Sequence, residues 1–182
     1  MKTAETPESA PVYLRALTLV DLPLVLQWHN DRALYANLGS PFRFVPRETE
    51  EQWFRHIIED RDQLNLAICI AGSDEHIGNI YLRDLEWISR RAEMHVFIGS
   101  TSHRRRGSGS EAIRQLLAYA FNDLGLHRIF LQVLAENITA INVYGRCGFV
   151  KEGLLRQHVF KQGEWKDVII MGICRPLDAS YS

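Results

Sequence analysis

The sequence predicts an α/β (α+β) fold, a mixed and mostly antiparallel central sheet flanked by helices. Three observations carry this expectation. Short β-like runs in the first half surround a hairpin signal, and the second half reads strand, helix, strand, helix, strand, strand. The intervening helices each carry one apolar stripe. A strand–helix–strand passage places two parallel neighbours in one sheet, joined by a right-handed crossover.

In chain order, Val12 to Leu17 alternates as a first strand. Thr18, with Asp21 three residues later, forms a capping-box pattern for a helix carrying Leu22, Val25, Leu26 and Trp28 toward Asn30. Leu38 to Pro46 reads as loop. Pro46 and the acidic residues after it suit the start of a second helix, on which Trp53, Phe54, Ile57 and Ile58 form one stripe. Leu64 to Ala71 and His76 to Leu82 flank the turn residues Gly72-Ser73-Asp74-Glu75, and Ala92 to Ile98 is a further strand. A long helix from Gly107 to Leu124 keeps Ile113, Leu116, Leu117, Ala120 and Leu124 at helical spacing, and Gly125 closes it. Arg128 to Leu134 is again a strand, and Ile138 to Arg146 a short helix ended by Gly148. Phe149 to Leu155 and Asp167 to Cys174 close the sheet.

A chain of 182 residues fits one core, read here as a single domain over 12–182 behind a frayed tail at 1–11. A formal net charge of -1 provides no global field toward nucleic acid or an acidic membrane, so neither is expected as a partner. No run approaches the ~18 apolar residues of a membrane span. Cys69, Cys147 and Cys174 are odd in number and lack metal-ligand spacing. They support neither a metal site nor a disulfide framework, and fit a reducing cytoplasm.

The densest chemistry lies in His103-Arg104-Arg105-Arg106-Gly107-Ser108-Gly109-Ser110-Glu111-Ala112. Glycines at a helix start let a ligand approach the backbone, while unpaired N–H groups and the helix dipole favour anions. This is a receptor for phosphate oxygens, and the arginines add charge-assisted contacts. A pyrophosphate with an extra 3′-phosphate, as in coenzyme A, suits it. Two other readings stay open: a solvated basic loop, and a dinucleotide turn of the form G-x-G-x-x-G/A with Glu136 as its ribose-binding acid. Further along, Asn137, Ala140 and Tyr144 share one helix face. Asn137 can cap that helix, Ala140 admits a ligand, and the Tyr144 phenol suits protonation of a leaving thiolate. A plain amphipathic helix is the alternative.

In order, these segments resemble the GNAT superfamily of N-acetyltransferases. Arg104, Gly107 and Gly109 match its Q/R-x-x-G-x-G/A motif, and Asn137, Ala140, Tyr144, Gly148 and Phe149 match its N-x-x-A-x-x-x-Y-x-x-x-G-F motif. Trp28-His29-Asn30-Asp31, with Glu152, Gly153, Arg156, Gly163, Asp167 and Met171, is similar to the RimJ/RimL branch. Two departures stand out: His29 replaces the branch's usual Arg, and Arg105 sits where relatives commonly have glycine.

The resemblance implies acetyl-CoA as cosubstrate, without a metal. It also implies that the strands Ala92 to Ile98 and Arg128 to Leu134 splay apart to form the cofactor cleft. By the same carry-over, the backbone of Val96, Phe97 and Ile98 pairs with pantetheine, and Arg104, Arg105, Arg106, Gly107, Ser108, Gly109 and Ser110 hold the phosphates. Asn137, Ala140 and Tyr144 contact the cofactor, Tyr144 acts as general acid, and a homodimer is in keeping with relatives. Acetyl transfer requires a neutral amine, so a base is needed; Glu93, starting the wedge strand, is the candidate, and His95 on the same face is the second. A salt bridge from Glu93 to Arg90 or Arg91 is the competing reading.

The acceptor stays open between a protein N-terminal amine, a polyamine and a nucleotide-linked amino sugar. Trp28, Trp53 and Trp87 are candidate pocket residues, with core packing as the alternative, and His158, Tyr81 and Glu86 are weaker ones. Asp60, Asp62, Asp84 and Glu86 are the carboxylates a polycation site would draw on. Cys147 is expected to be a packing residue. A non-catalytic acyl-CoA sensor, a dinucleotide-binding protein and a nucleic-acid module centred on His103 to Arg106 are the rival functions.

Overall fold

β-Branched and aliphatic residues at alternate positions build the strands, and the chain closes into one seven-stranded sheet of order β1-β2-β3-β4-β5-β7-β6. The computed structural model describes residues 11–176. The strands are β1 (Val12–Ala16), β2 (Leu64–Ile70), β3 (His76–Glu86), β4 (Arg91–Ile98), β5 (Arg128–Leu134), β6 (Val150–Lys161) and β7 (Glu164–Cys174). The helices are α1 (Leu22–His29), α2 (Arg32–Tyr35), α3 (Arg47–Glu59), α4 (Ser108–Asn122) and α5 (Ile138–Arg146). Residues 1–10 of the expected tail, and the end of the expected domain after 176, lie outside the described residues.

Every neighbouring pair is antiparallel except β4–β5. That parallel pair is short, with Arg91, Ala92 and Glu93 opposite Arg128, Ile129 and Phe130. Past Glu93, β4 stays paired with β3 as far as Ile98, and β5 stays paired with β7 as far as Leu134. The two central strands therefore diverge while each is held by its outer neighbour. The sheet separates two cores. On one face Ala92 and Met94 pack with Ile113, Leu116 and Ala120 of α4 and Ile141 of α5. On the other, Trp28 and Val25 of α1 pack with Phe54 of α3, Tyr81 and Phe97.

The differences from the expected elements have local causes. The four-residue helix α2 was not anticipated; Asp31 caps it by accepting from the N–H groups of Ala33 (2.8 Å) and Leu34 (3.2 Å). On α3, Ile58 is 46% exposed and leaves the predicted stripe, whereas Glu50 takes a place on it, one turn before Phe54. The last two strands run longer than expected because Gln162 and Gly163 adopt φ values of 53° and 85°, a two-residue hairpin turn matched to strand twist.

The Thr18–Asp21 capping box is present and sits inside a buried ion-pair network. Asp21 receives both arms of Arg15 (2.7 and 2.8 Å) and the Thr18 N–H (2.9 Å), with His76 Nδ1 at 3.2 Å. Burial alone raises its pKa, but the Arg15 and Thr18 hydrogen bonds and the neighbouring His76 outweigh this and bring it from 3.8 down to about 2. Its folded pKa lies below the unfolded one, so its stabilising contribution is complete above about pH 4 and fades as pH falls toward 2. Thermal melts from pH 7 to pH 2 should show the Asp21→Asn variant less stable at pH 7 and less sensitive to acid than the wild type. Parallel curves would show that Asp21 contributes nothing to acid sensitivity.

Candidate active site

The glycine turn leads from the open end of β4 into α4. Gly107 is the N-cap at φ 85°, a conformation costly for any residue with a Cβ, and no side chain caps the helix. The N–H groups of Ser108, Gly109 and Ser110 therefore lack an intrahelical acceptor. A Cβ placed on Gly109 would meet nothing nearer than Ile98 Cγ1 at 3.9 Å, so the space in front of the turn is open. Ser108 Oγ is buried there without a hydrogen-bond partner. Three amides, an orphaned hydroxyl and the dipole of a 15-residue helix fit the diphosphate of coenzyme A.

The arginines before the turn divide their roles. Arg104 points inward, donating from Nε to the Ile98 carbonyl and from one terminal nitrogen to the Gly99 carbonyl, each at 3.0 Å. These two bonds tie the turn to the end of β4. Arg105 holds φ 62°, the left-handed conformation glycine favours, so the loop keeps the glycine-like shape with an arginine in it. Arg106 is exposed beside it.

Across the wedge, α5 carries the second motif. Asn137 caps it, accepting from the Ala140 N–H at 3.1 Å, while its amide nitrogen donates to the Asn37 carbonyl at 3.0 Å. Both ends of the side chain are thus engaged within the chain, and Asn137 links α5 to the loop after α2. Gly148 at φ 96° ends the helix. Tyr144 is half-buried and packs against the core beside Phe149, and desolvation pushes its phenol up to about 12. Cys147 Sγ sits 3.8 Å from the Ser110 carbonyl, which places the end of α5 against the first turn of α4. Burial raises the Cys147 thiol as well, so it is no activated nucleophile.

Glu93, His95 and Phe97 occupy the β4 face that looks away from α4. Glu93 lies 3.6 Å from His95 Nε2, whereas the competing bridge to Arg91 is absent because Arg91 pairs with Glu86 at 2.6 Å. Phe97 stands edge-on to Trp28 and Tyr81, and His29 stands edge-on to Trp53. Trp28 is core and Trp53 half-buried on this face, while Trp87 is exposed and donates to Asp62. His158 is exposed on β6. Asp60, Asp62, Asp84 and Glu86 gather around the start of β4, the end remote from the glycine turn. They do not line the wedge.

Three residues on this side were missed. Glu50 is buried with its carboxylate 2.8 Å from His29 Nδ1, and its i, i+4 spacing to Phe54 was the available signal. Arg83, opposite Glu93 on β3, lies over the rings of Trp53 and Tyr81. Lys161 turns inward from the end of β6 and donates to the carbonyls of Tyr35, Leu38 and Ser40 at 2.6, 2.6 and 2.9 Å. Its three N–H groups match three acceptors, so it holds the loop after α2 much as a bound cation would.

Residues 12–150 match the family model described as acetyltransferase (GNAT) domain. The chain is 32% identical over 157 residues to a spermidine N(1)-acetyltransferase of Vibrio cholerae, covering 85% of this chain and 88% of that protein. It is 30% identical over 169 residues to the Escherichia coli K12 protein of the same name, covering 92% and 88%. The crystal structure of the V. cholerae spermidine N-acetyltransferase in complex with CoA and spermine superposes with a TM-score of 0.84 at 30% identity, covering 90% and 95%. The chain belongs to the GNAT acetyltransferase family and is an acetyl-CoA-dependent N-acetyltransferase. The dinucleotide reading falls away: the sheet has one parallel pair rather than a doubly wound parallel core, and Glu136 is paired with Lys166 at 3.1 Å.

Replacing Lys161 by Met should leave three loop carbonyls without their donor and cost about 2 kcal/mol. Urea unfolding measures the loss, and hydrogen exchange should quicken at residues 36–41. Unchanged exchange there would show that the loop is held by other contacts.

Proposed function

We propose that the protein transfers the acetyl group directly to a primary amine in a ternary complex, with cofactor on the α4 side of the wedge and amine on the α1–α3 side. The divergence of β4 from β5 beside the uncapped amides of α4 carries this reading. The N–H groups of Ser108, Gly109 and Ser110 and the Ser108 hydroxyl hold the diphosphate, with Arg105 and Arg106 adding charge. Arg104 positions the turn. The β4 backbone at Val96, Phe97 and Ile98, beyond its pairing with β5, receives the pantetheine arm, and Asn137 and Ala140 border it. When bound, acetyl-CoA supplies an activated acetyl thioester.

Glu93 takes the proton from the incoming ammonium, directly or through a water, with His95 beside it. A β4 backbone N–H faces the developing negative charge on the acetyl oxygen. Tyr144, protonated at neutral pH with its pKa near 12, holds the proton that the departing sulfur requires. The relatives named for spermidine make polyamines the reference acceptor for any assay. The carboxylates that pointed to a polycation lie away from the wedge, whereas Glu93 and Glu50 stand on its α1–α3 side and Asp31 and Glu75 line a cleft beside Trp28 and Gly99. The tail residues Glu152, Gly153, Arg156, Gly163, Asp167 and Met171 support a RimJ/RimL-like affiliation within the family. A cytoplasmic setting is supported by the three free cysteines. One solved V. cholerae structure is dodecameric, and the exposed Val150, Leu154 and Phe160 on edge strand β6 support self-association here.

Thiol release with acetyl-CoA and an amine panel tests the roles. Tyr144→Phe should lower kcat by about 10²-fold or more while CoA affinity stays within about twofold. Equal losses in both would make Tyr144 a packing residue. Glu93→Gln should be most impaired at neutral pH and recover as pH rises, because a neutral amine no longer needs the base. A loss independent of pH would remove Glu93 from the proton path.

A further inference from the structure

Arg83 is a cation on the acceptor side that forms no ion pair with the carboxylates around it. Among the described residues its guanidinium makes no salt bridge within 4.0 Å and no hydrogen bond. It lies instead over two aromatic faces, 5.2 Å from the Tyr81 ring centroid and 5.7 Å from that of Trp53. Such contacts fix the plane of a guanidinium and leave the N–H groups at its rim to another partner. The nearby carboxylates face histidines instead, Glu50 at 2.8 Å from His29 Nδ1 and Glu93 at 3.6 Å from His95 Nε2.

Its place in the sheet gives this cation a chemical meaning. Arg83 is the direct cross-strand partner of Glu93, and directly opposite residues of an antiparallel pair have Cβ atoms about 5 Å apart. The candidate base and the unpaired cation are thus neighbours on one face. An acceptor whose ammonium approaches Glu93 brings its adjoining atoms toward Arg83. A second ammonium there would be repelled, whereas a carboxylate or phosphate would find a rigid fork suited to bidentate recognition.

We propose that Arg83 is a specificity-determining residue that selects an acceptor carrying an anionic group close to its primary amine. The inference rests on the acetyl-transfer reading of the same wedge and names the substrate class within it. Arg83 and Glu93 together recognise a zwitterion, one group at each end of a short spacer. Tyr81 and Trp53 hold the guanidinium in place.

The experiment uses wild type, Arg83→Met, which keeps the stem over the rings, and Arg83→Lys, which keeps the charge and loses the fork. Acceptors are a set of α-amino acids, their methyl esters, O-phosphoethanolamine and spermidine, assayed by thiol release and by calorimetry with CoA present. The wild type should favour at least one carboxylate- or phosphate-bearing amine over its uncharged counterpart by about tenfold or more in kcat/KM. The carboxylate and phosphate arms identify which anion is read. Arg83→Met should erase that preference through KM, Arg83→Lys should retain part of it, and CoA affinity should not change. Preference for esters or spermidine, equal losses on acid and ester, or no binding of any anionic amine would each overturn the proposal. Arg83-dependent binding of an anionic amine without thiol release would instead uphold Arg83 and refute the transfer reading.

Discussion

The structure depends on a parallel pairing that stops early. β4 and β5 share three residue pairs, and then each follows the outer strand to which it is bonded along its remaining length. Full pairing would bury the inner edge of β4 and leave no cleft at the centre of the sheet. Divergence leaves backbone N–H and C=O groups directed into a gap, a state tolerated only where another partner satisfies them. An extended amide-bearing arm is such a partner. The same geometry separates two faces, with the glycine turn leading into α4 on one and Glu93, Glu50 and the aromatic rings on the α1–α3 face.

Polar tethers hold the rim of this gap. Arg104 fastens the glycine turn to the last carbonyls of β4, and Asn137 fastens the start of α5 to the loop after α2. Lys161 reaches that loop from the far hairpin. Asn137 and Lys161 thus fix the loop after α2 from positions distant in sequence. This explains how a site made largely of turns and strand ends is positioned with the regularity of the sheet beneath it.

Most of the fold was legible because its signals are local. The helix from 108 to 122 declares itself through apolar spacing and a glycine at each end, and Asn137 and Gly148 bracket α5 in the same way. The β4–β5 divergence, by contrast, came from resemblance, since no single strand encodes how far it pairs with a partner separated by a crossover. Three residues escaped for tertiary reasons. Glu50 is acidic and reads as a solvated helix residue until His29 is brought against it. Lys161 and Arg83 look like surface cations on strands, and only the packed sheet turns one toward three carbonyls and the other over two rings. Arg104 was legible from its motif position, and the packed turn adds its hydrogen bonds to the Ile98 and Gly99 carbonyls.

In the proposed mechanism, the divergent strands and the α4 amides form one continuous cofactor seat. A crystal structure of the protein with acetyl-CoA tests it most directly. The diphosphate should lie on the N–H groups of Ser108, Gly109 and Ser110, with the pantetheine arm between β4 and β5 and its thioester between Tyr144 and Glu93. A cofactor bound elsewhere, or a wedge that closes into full β4–β5 pairing, would show that the divergent strands and the α4 amides do not form that seat.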